Sequence, residues 1–414
     1  MSILKTFTVT RLWGERDLTL SFHEDVNFLI GTNGSGKTTV INLIAAALSA
    51  DFQTLDRINF KKVDIQLSGA ERPVIEIIKK TERKSPFQGI TYKFRSAHDA
   101  EWKDYSLDDI EGQLSFREFG PRHLRHRART GPIESLGIDV PLTWLSIHRT
   151  PPVRQREDRS FESSVDEKLD QLSNELTRLF SGIKSKGDEE TEKFQKSLFF
   201  ALLPPQEWEL FGSVKSLNLA EERAALLEIF ENFGISEGHY AQQVERQFKL
   251  AGEAVAKDTS YESAEVMALA AMWSIHRVVQ EWRQLGKRKA EIYKPREDFL
   301  GVINEMLRQK RLVINERNEL NAEMRGGRVI PLRELSSGEK QLVIILGEAL
   351  LQQRRPWVYI ADEPELSLHV TWQEKLTTNL RQINPSAQII FATHSPDIVG
   401  KFEEKIFDME KLLA

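Results

Sequence analysis

The chain has 414 residues, 40% of them hydrophobic and 29% charged, and its formal net charge is −5 at pH 7. This length is enough for two or three lobes. The negative balance excludes a polycationic nucleic-acid binder, so any nucleic-acid surface has to be a local patch. The absence of cysteine excludes disulfides, zinc fingers, iron–sulfur clusters and thiol catalysis. Because no apolar run approaches the ~18 residues of a membrane span, we expect a cytoplasmic protein without a membrane segment or signal peptide.

The first 48 residues predict a strand, a glycine turn and a helix in succession. Short strands are expected over residues 3–30, with a hairpin at residues 11–15. The strand-like residues 27–30 lead into the sequence G-T-N-G-S-G-K-T at 31–38, which matches the phosphate-binding pattern G-x-x-x-x-G-K-[S/T]. Residues 40–48 have a helix-forming composition. Together these features predict a P-loop.

The chemistry of a P-loop assigns roles to these residues. The glycines let backbone N–H groups point at a triphosphate, and the helix start adds the positive end of its dipole. We expect the Lys37 ammonium to reach the β- and γ-phosphates of ATP and the Thr38 hydroxyl to ligate Mg²⁺. Trp13 or Arg11 could lie on the adenine ring, or Trp13 could simply pack in its turn. The predicted ATP contacts are Gly31, Asn33, Gly34, Ser35, Gly36, Lys37, Thr38 and Thr39.

The rest of the first third predicts more β-structure and then a basic segment. Residues 63–67, 73–78 and 90–94 indicate an antiparallel sheet beside the P-loop sheet. Residues 141–147 predict another strand, and the Pro-Pro pair at 151–152 ends the first lobe. A basic cluster between them either contacts phosphates or is a solvated loop. Its members are Arg117, Arg122, His123, Arg125, His126, Arg127 and Arg129.

The middle of the chain has the periodicity of helices. An apolar stripe begins at Val165 and runs to Ile183, followed by the predicted polar loop 184–190. Residues 264–282 are apolar nearly all round and predict the buried centre of a helical lobe. A second basic patch occupies residues 283–296. We expect helix to continue from Phe299 to about Met324, where Gly326-Gly327 breaks it.

The last third carries three further motifs. Residues 335–341, L-S-S-G-E-K-Q, precede a predicted helix, whose start offers hydroxyl and amide donors to a phosphate. Residues 356–364 predict a hydrophobic strand that ends in Asp362 and Glu363; Asp362 would hold Mg²⁺ and Glu363 would polarise the attacking water. A second buried strand, within residues 388–393, leads to His394. The phosphate-facing candidates at 335–341 are Ser336, Ser337, Gly338 and Glu339.

The four motifs, in this order, resemble those of ABC-type ATPases. The form D-E-P-E-x-x-L-H at 362–369 resembles RecF, OLD-family and SMC-like ATPases of the AAA_15 and AAA_21 group. The resemblance implies an α/β fold: an ABC ATPase head, with a mixed P-loop sheet and an antiparallel β subdomain, carrying an inserted helical lobe. It also implies that His394 bonds the γ-phosphate, and that two copies enclose ATP, with Ser336 of one completing the site of the other. For the family's Q-loop the candidates are His148, Arg149 and the earlier Gln66.

These motifs predict three parts: residues 1–152 and 327–414 form the two halves of the head, and residues 153–326 form the helical lobe. Three roles are compatible with such a head. The long insertion argues against an ABC transporter subunit. A DNA-repair ATPase of the RecF or SMC type fits the two basic patches.

The third role, which we favour, is an ATP-driven switch in an anti-phage defence system. OLD-family nucleases continue into a Toprim domain, whereas this sequence ends soon after Pro396, so we expect no such domain here. Standalone heads of this sort resemble the ATPase subunits of two-gene systems such as Septu and PARIS. That resemblance implies a separately encoded nuclease or toxin as partner, and a nucleic acid or a phage protein as trigger.

Overall fold

We analysed a computed structural model of the chain. It describes residues 3–70, 74–80, 89–95, 102–106, 141–145, 164–201, 216–236, 238, 240–257 and 262–413. Within these residues the strands form three sheets, of six, five and three strands. The α/β class, with a P-loop sheet, an antiparallel β subdomain and helices, is confirmed.

The six-stranded sheet is antiparallel and has the order β2-β1-β4-β5-β6-β7. Alternation sets its faces: Phe7 and Val9 of β1 are fully buried, whereas Thr6 and Thr8 between them are partly exposed. The predicted hairpin at 11–15 joins the first two strands. The strands are β1 (Leu4–Leu12), β2 (Arg16–Ser21), β4 (Lys62–Leu67), β5 (Ile75–Lys80), β6 (Gly89–Phe94) and β7 (Lys103–Ser106).

The five-stranded sheet is the P-loop sheet, with the order β14-β3-β13-β12-β8. All four of its strand pairs are parallel. Every carboxyl end therefore lies at the same edge, which is where open parallel sheets bind ligands. The strands are β3 (Val26–Ile30), β8 (Leu142–Leu145), β12 (Trp357–Asp362), β13 (Ala387–Ala392) and β14 (Ile406–Asp408).

The three-stranded sheet corrects one prediction. The expected helix from Phe299 to about Met324 is wrong beyond Met306, where the chain turns into β9 (Lys310–Ile314), β10 (Leu320–Met324) and β11 (Val329–Ile330). The turn between β9 and β10 explains the change. The Asn315 side chain accepts hydrogen bonds from the backbone of Arg317 and Glu319, at 3.0 and 2.9 Å. Gly327 then turns the chain between β10 and β11 instead of ending a helix.

The helices of the middle region are longer than their sequence suggests. The predicted loop at 184–190 is wrong, because helix α3 runs through it without a break. Its apolar stripe stays in helical register from Ile183 to the buried Phe194, so the polar residues between them occupy the exposed face. The helices here are α3 (Ser164–Ala201), α4 (Leu219–Asn232), α5 (Ala241–Val255) and α6 (Ser263–Met306). No helix among the described residues is both long enough and apolar enough to cross a membrane.

The remaining helices lie in the first 60 residues and in the last 80. They are α1 (Lys37–Ser49), α2 (Phe52–Arg57), α7 (Ser337–Leu351), α8 (Val370–Ile383), α9 (Pro396–Val399) and α10 (Met409–Leu412). Contacts divide the chain into two units. The first is Met1–Arg178 with Pro295–Ala414, and the second is Leu179–Lys294. The three-part division at 152 and 326 stays a prediction.

Gln388 of β13 connects the P-loop sheet with the antiparallel sheet. Its side chain is fully buried. The amide oxygen accepts a hydrogen bond from the Leu4 backbone N–H at 2.9 Å, and the amide nitrogen donates to the carbonyls of Leu4 and His23 at 2.7 and 2.8 Å. One side chain therefore satisfies two backbone groups of β1 in the antiparallel sheet and one in the segment between β2 and β3.

We expect Gln388→Leu to lower the free energy of unfolding by about 3 kcal/mol, because it leaves buried backbone groups without partners. Chemical denaturation measures the effect. The control is Gln309→Leu at an exposed position, where we expect a change within ~0.5 kcal/mol. Equal effects of the two substitutions would show that Gln388 does not hold the sheets together.

Candidate functional site

Three neighbouring strands of the P-loop sheet deliver the predicted motifs to one edge. Strand β3 leads into the P-loop, β12 ends at Asp362, and β13 leads to His394. The Thr38 hydroxyl donates a hydrogen bond to Asp362 Oδ1 at 3.1 Å, across a sequence separation of 324 residues. The structure therefore brings the P-loop into direct contact with the Asp362 motif, which is the third of the four motifs along the chain.

The P-loop has the backbone of an anion cradle. Gly34 and Gly36 have φ angles of 88° and 91°, in the region that favours glycine, and α1 begins immediately after at Lys37. The hydroxyl oxygen of Ser35 is buried without a hydrogen-bond partner. Buried polar atoms are normally paired, so this oxygen is available to an incoming group. The other predicted contacts lie along the same loop: Gly31 and Thr39 are half-buried and Asn33 is exposed.

Lys37 folds back onto its own loop. Its Nζ donates to the carbonyls of Gly31 and Thr32 at 2.8 and 3.0 Å, and the side chain is buried. Burial lowers the pKa of Lys37, and the nearby carboxylates, Glu363 and Asp362 foremost, only partly oppose this effect. A bound polyanion would favour the charged ammonium further.

These residues fit a magnesium–triphosphate. Magnesium is commonly bound by one or two protein oxygens together with the oxygens of a substrate phosphate, and Thr38 and Asp362 supply two adjacent oxygens. The P-loop amides, the unpaired Ser35 hydroxyl and Lys37 are donors that suit phosphate oxygens.

Glu363 and His394 form a pair next to Asp362. Glu363 has a φ angle of 48°, and its backbone N–H donates to the Ala392 carbonyl at 2.7 Å. A non-glycine residue in the left-handed region costs free energy, so the surrounding structure imposes this conformation. His394 Nε2 lies 3.6 Å from Glu363 Oε1. The two side chains predicted to act on water and on the γ-phosphate are therefore neighbours.

The signature segment forms the start of α7. Ser336 is the N-cap, and its hydroxyl and backbone make a capping box with Glu339. Glu339 also pairs with Lys310 at 2.8 Å; burial opposes the ionisation of Glu339, but the hydrogen bonds from Lys310 and Ser336 outweigh it and lower the pKa. Gly338 faces the loop after Glu363, because a Cβ there would lie 2.5 Å from the Ser367 carbonyl. Ser336 and Ser337 are exposed.

Three residues that the sequence reasoning gave no role contact the site. Glu365 hydrogen-bonds the backbone of His394 at 3.0 Å, and Gln341 donates to the Pro364 carbonyl at 3.0 Å. Glu410 accepts a hydrogen bond from the P-loop N–H of Thr32 at 2.6 Å, and the hydrogen bonds from the Thr32 hydroxyl and N–H lower the Glu410 pKa. Glu365 stands in the quoted D-E-P-E motif, so its position was a signal. Nothing in the sequence pointed to Glu410, because β14 reaches β3 only in the folded sheet.

For several other residues with a predicted role, the structure shows the contacts but does not decide the role. Trp13 lies against Gly36 of the P-loop, which keeps both its stacking and its packing roles open. The Arg11 backbone bonds the Asp17 carboxylate at 2.7 Å. Gln66 bonds Ala70 and Thr6 within the antiparallel sheet. The Q-loop candidates His148 and Arg149, and the basic cluster at 117–129, lie outside the described residues.

Comparison with known proteins places this arrangement in a family. The AAA_21 family, described as "AAA domain, putative AbiEii toxin, Type IV TA system", matches residues 26–400. The chain belongs to this family. It is an ABC-type ATPase of the RecF/SMC-like kind, as the motifs suggested.

Curated relatives include the DNA replication and repair protein RecF of two Lactococcus lactis subsp. cremoris strains. The MG1363 protein is 26% identical over 192 residues, which cover 42% of this chain and 52% of the relative. The SK11 protein is 26% identical over 194 residues with the same coverage. This chain therefore matches about half the length of these relatives.

Solved structures that match this chain include two Smc head domains. The Pyrococcus furiosus head, with an extended coiled coil and bound to the C-terminal domain of ScpA, has a TM-score of 0.42 and 13% identity, covering 96% of this chain and 91% of that one. The Pyrococcus yayanosii head, with a coiled coil and joint, has a TM-score of 0.40 and 14% identity, covering 96% and 93%.

Alanine substitutions at Gly34 and Gly36 separate backbone strain from crowding in the P-loop. Both positions have similar φ angles, but a Cβ at Gly34 meets nothing within 4 Å, whereas one at Gly36 would collide with the Trp13 ring. We expect Gly34→Ala to cost about 1 kcal/mol of unfolding free energy and Gly36→Ala at least about 2.

Chemical denaturation of both variants tests this expectation. The double variant Gly36→Ala/Trp13→Ala should lose less than the sum of its single variants, because it lacks the collision. Additive losses would mean that Trp13 does not pack on the P-loop.

Proposed function

We propose that this chain hydrolyses ATP and uses the reaction as a switch. The observation that carries the proposal is the 3.1 Å contact of Thr38 with Asp362, beside Lys37 and the Glu363–His394 pair. These are the groups that phosphoryl transfer to water requires: a phosphate cradle, metal ligands, a group to orient water and a donor to the transferred phosphate.

Each residue has one task in this proposal. Lys37 leaves the carbonyls of Gly31 and Thr32 and binds the β- and γ-phosphate oxygens. Thr38 and Asp362 hold Mg²⁺, which supplies positive charge against the phosphate oxygens when bound. Glu363 accepts a hydrogen bond from the attacking water and orients it. His394, next to Glu363, donates a hydrogen bond to the γ-phosphate, so this bond is present only while the γ-phosphate is bound.

Two copies of the chain complete the site in this proposal. Ser336 and Ser337 are exposed at the start of a 15-residue helix, and the recorded side-chain bonds of Ser336 among the described residues are with Glu339. A helix N-terminus with exposed hydroxyl groups suits a phosphate presented by another molecule. We propose that ATP is enclosed between this helix start and the P-loop of a second copy.

For the biological role we favour control of a separately encoded nuclease or toxin in anti-phage defence. The description of the AAA_21 family, which includes a putative toxin and a type IV toxin–antitoxin system, supports this role. The RecF relatives support the second candidate, a DNA-repair ATPase that binds DNA. Acidic partners reduce the support that the basic segment of α6 gives to DNA binding. Arg288 lies 2.8 Å from Glu190, and Arg283 lies 3.6 Å from Glu222.

We expect Glu363→Gln to lower the ATP turnover number by about 100-fold, since the amide is a much weaker base toward water. ATP binding should remain, and the variant should accumulate as an ATP-bound dimer. Turnover, nucleotide binding and light-scattering mass with and without ATP measure these effects. Lys37→Ala is the matched control, because it should lose ATP binding and stay monomeric. Normal turnover in Glu363→Gln would refute the role of Glu363.

The two biological roles differ in their partner. In the defence role, we expect the chain to form a stable complex with the product of the gene adjacent to its own, and the two together to protect cells from phage. Lys37→Ala should abolish the protection. In the second role, the chain binds DNA more tightly with ATP, and the affinity falls steeply with salt. ATP-strengthened DNA binding without a protein partner would favour repair over defence.

A further inference from the structure

Glu365 is a buried carboxylate at the centre of the loops that carry Glu363 and His394. It follows Asp362-Glu363-Pro364 directly, and only 9% of its surface is exposed. One oxygen, Oε1, accepts three hydrogen bonds: from the Thr393 hydroxyl at 2.6 Å, the His394 N–H at 3.0 Å and the Ser395 N–H at 3.3 Å. Every one of these donors belongs to the segment that presents the His394 imidazole.

The other oxygen of Glu365 has no hydrogen-bond partner among the described residues, although it is buried. An unpaired buried carboxylate oxygen costs free energy. A residue kept only for stability could be replaced by one without this cost. The arrangement therefore favours a role for Glu365 in holding the His394 segment in one conformation.

The loop with Glu365 is itself fixed from two directions. The backbone N–H of Leu368 donates to the Glu365 carbonyl at 2.9 Å. The Gln373 side chain of α8 donates to the Leu368 carbonyl at 2.9 Å and accepts from the Ser395 hydroxyl at 2.7 Å. These bonds close a ring that joins the two loops, and Glu365 is its only carboxylate among the described residues.

The same loop is bonded to the signature helix. Gln341 of α7 is buried and donates to the Pro364 carbonyl, the residue between Glu363 and Glu365. A displacement of α7 would therefore reach the Glu365 loop through one hydrogen bond, and the His394 backbone through a second.

We propose that Glu365 is the positioning residue that sets His394 against Glu363 and couples the pair to the signature helix. In this role Glu365 acts through its hydrogen bond with the backbone N–H of His394. The inference rests on the proposed function for its effect on turnover, but its structural part concerns His394 alone. Misplacing a reacting group by about 1 Å costs up to ~100-fold in rate, which sets the scale of the expected effect.

A double-mutant cycle tests the proposal. We expect Glu365→Ala to lower turnover by about 30-fold, which is within the range for misplaced groups, with the same ATP affinity as Glu365→Gln, which removes the same charge. In a His394→Ala background the same substitution should have little further effect, because the group it positions is absent. Glu365→Gln, which retains an oxygen acceptor, should recover most of the turnover. Glu316→Ala, in the exposed β9–β10 turn, is the control and should leave turnover unchanged.

A second measurement does not depend on hydrolysis. The chain has nine histidines, and the imidazole resonance of His394 is assigned by its loss in His394→Ala. We expect Glu365→Ala to shift or broaden this resonance, and Glu365→Gln to keep it near its wild-type position. An unmoved resonance, or losses of turnover that add in the double variant, would overturn the proposal. If the wild-type chain hydrolyses no ATP but the resonance moves, the proposed function fails and the positioning role stands.

Discussion

The site depends on the parallel alignment of three strands, β3, β13 and β12. Parallel pairing puts their carboxyl ends in one row, and the register is tight: Leu29 is paired with Ala392, which is paired with Asp362. The residue after each strand end therefore enters the site from a fixed position. A slip of one residue in β12 would reverse the side-chain faces and remove Asp362 from Thr38. All six residues of β13 are buried, as expected for a parallel strand that is covered on both faces. A slip would have to repack these side chains.

Local sequence was sufficient to predict this part of the fold. The strands that carry the motifs are mostly apolar, and the P-loop pattern allows few other structures. Local sequence was insufficient to predict the structure where polar residues lie on the surface of a helix or where a turn depends on one side chain. Residues 184–190 look like a loop because the segment is polar and the next large buried apolar side chains, Ile183 and Phe194, are eleven positions apart. The hairpin after Met306 depends on Asn315, whose side chain accepts two backbone hydrogen bonds in the turn. In the sequence, this asparagine looks the same as a polar residue on the surface of a helix.

The candidate site was predictable to the extent that each residue belongs to a motif. Contacts between motifs were not, since they depend on how loops meet after folding. The signature helix is an example. Lys340 of α7 pairs with Asp166 of α3 at 2.7 Å, and Arg333 pairs with Asp170. The first turns of α3 thus pack against the helix whose start we propose to face a second copy. Most of α7 is also buried, so these ion pairs are only part of what holds the helix in place.

The charge of the site determines what it can bind. Around the buried ammonium of Lys37 lie four carboxylates that act on it electrostatically: Glu363, Asp362, Glu365 and Glu410. Such a site repels a bare triphosphate, because the like charges are close and only partly screened by solvent. The P-loop amides and the α1 dipole offset part of this repulsion. In the proposed function a cation held by Thr38 and Asp362 would offset the remainder, so nucleotide binding and divalent-metal binding would depend on each other.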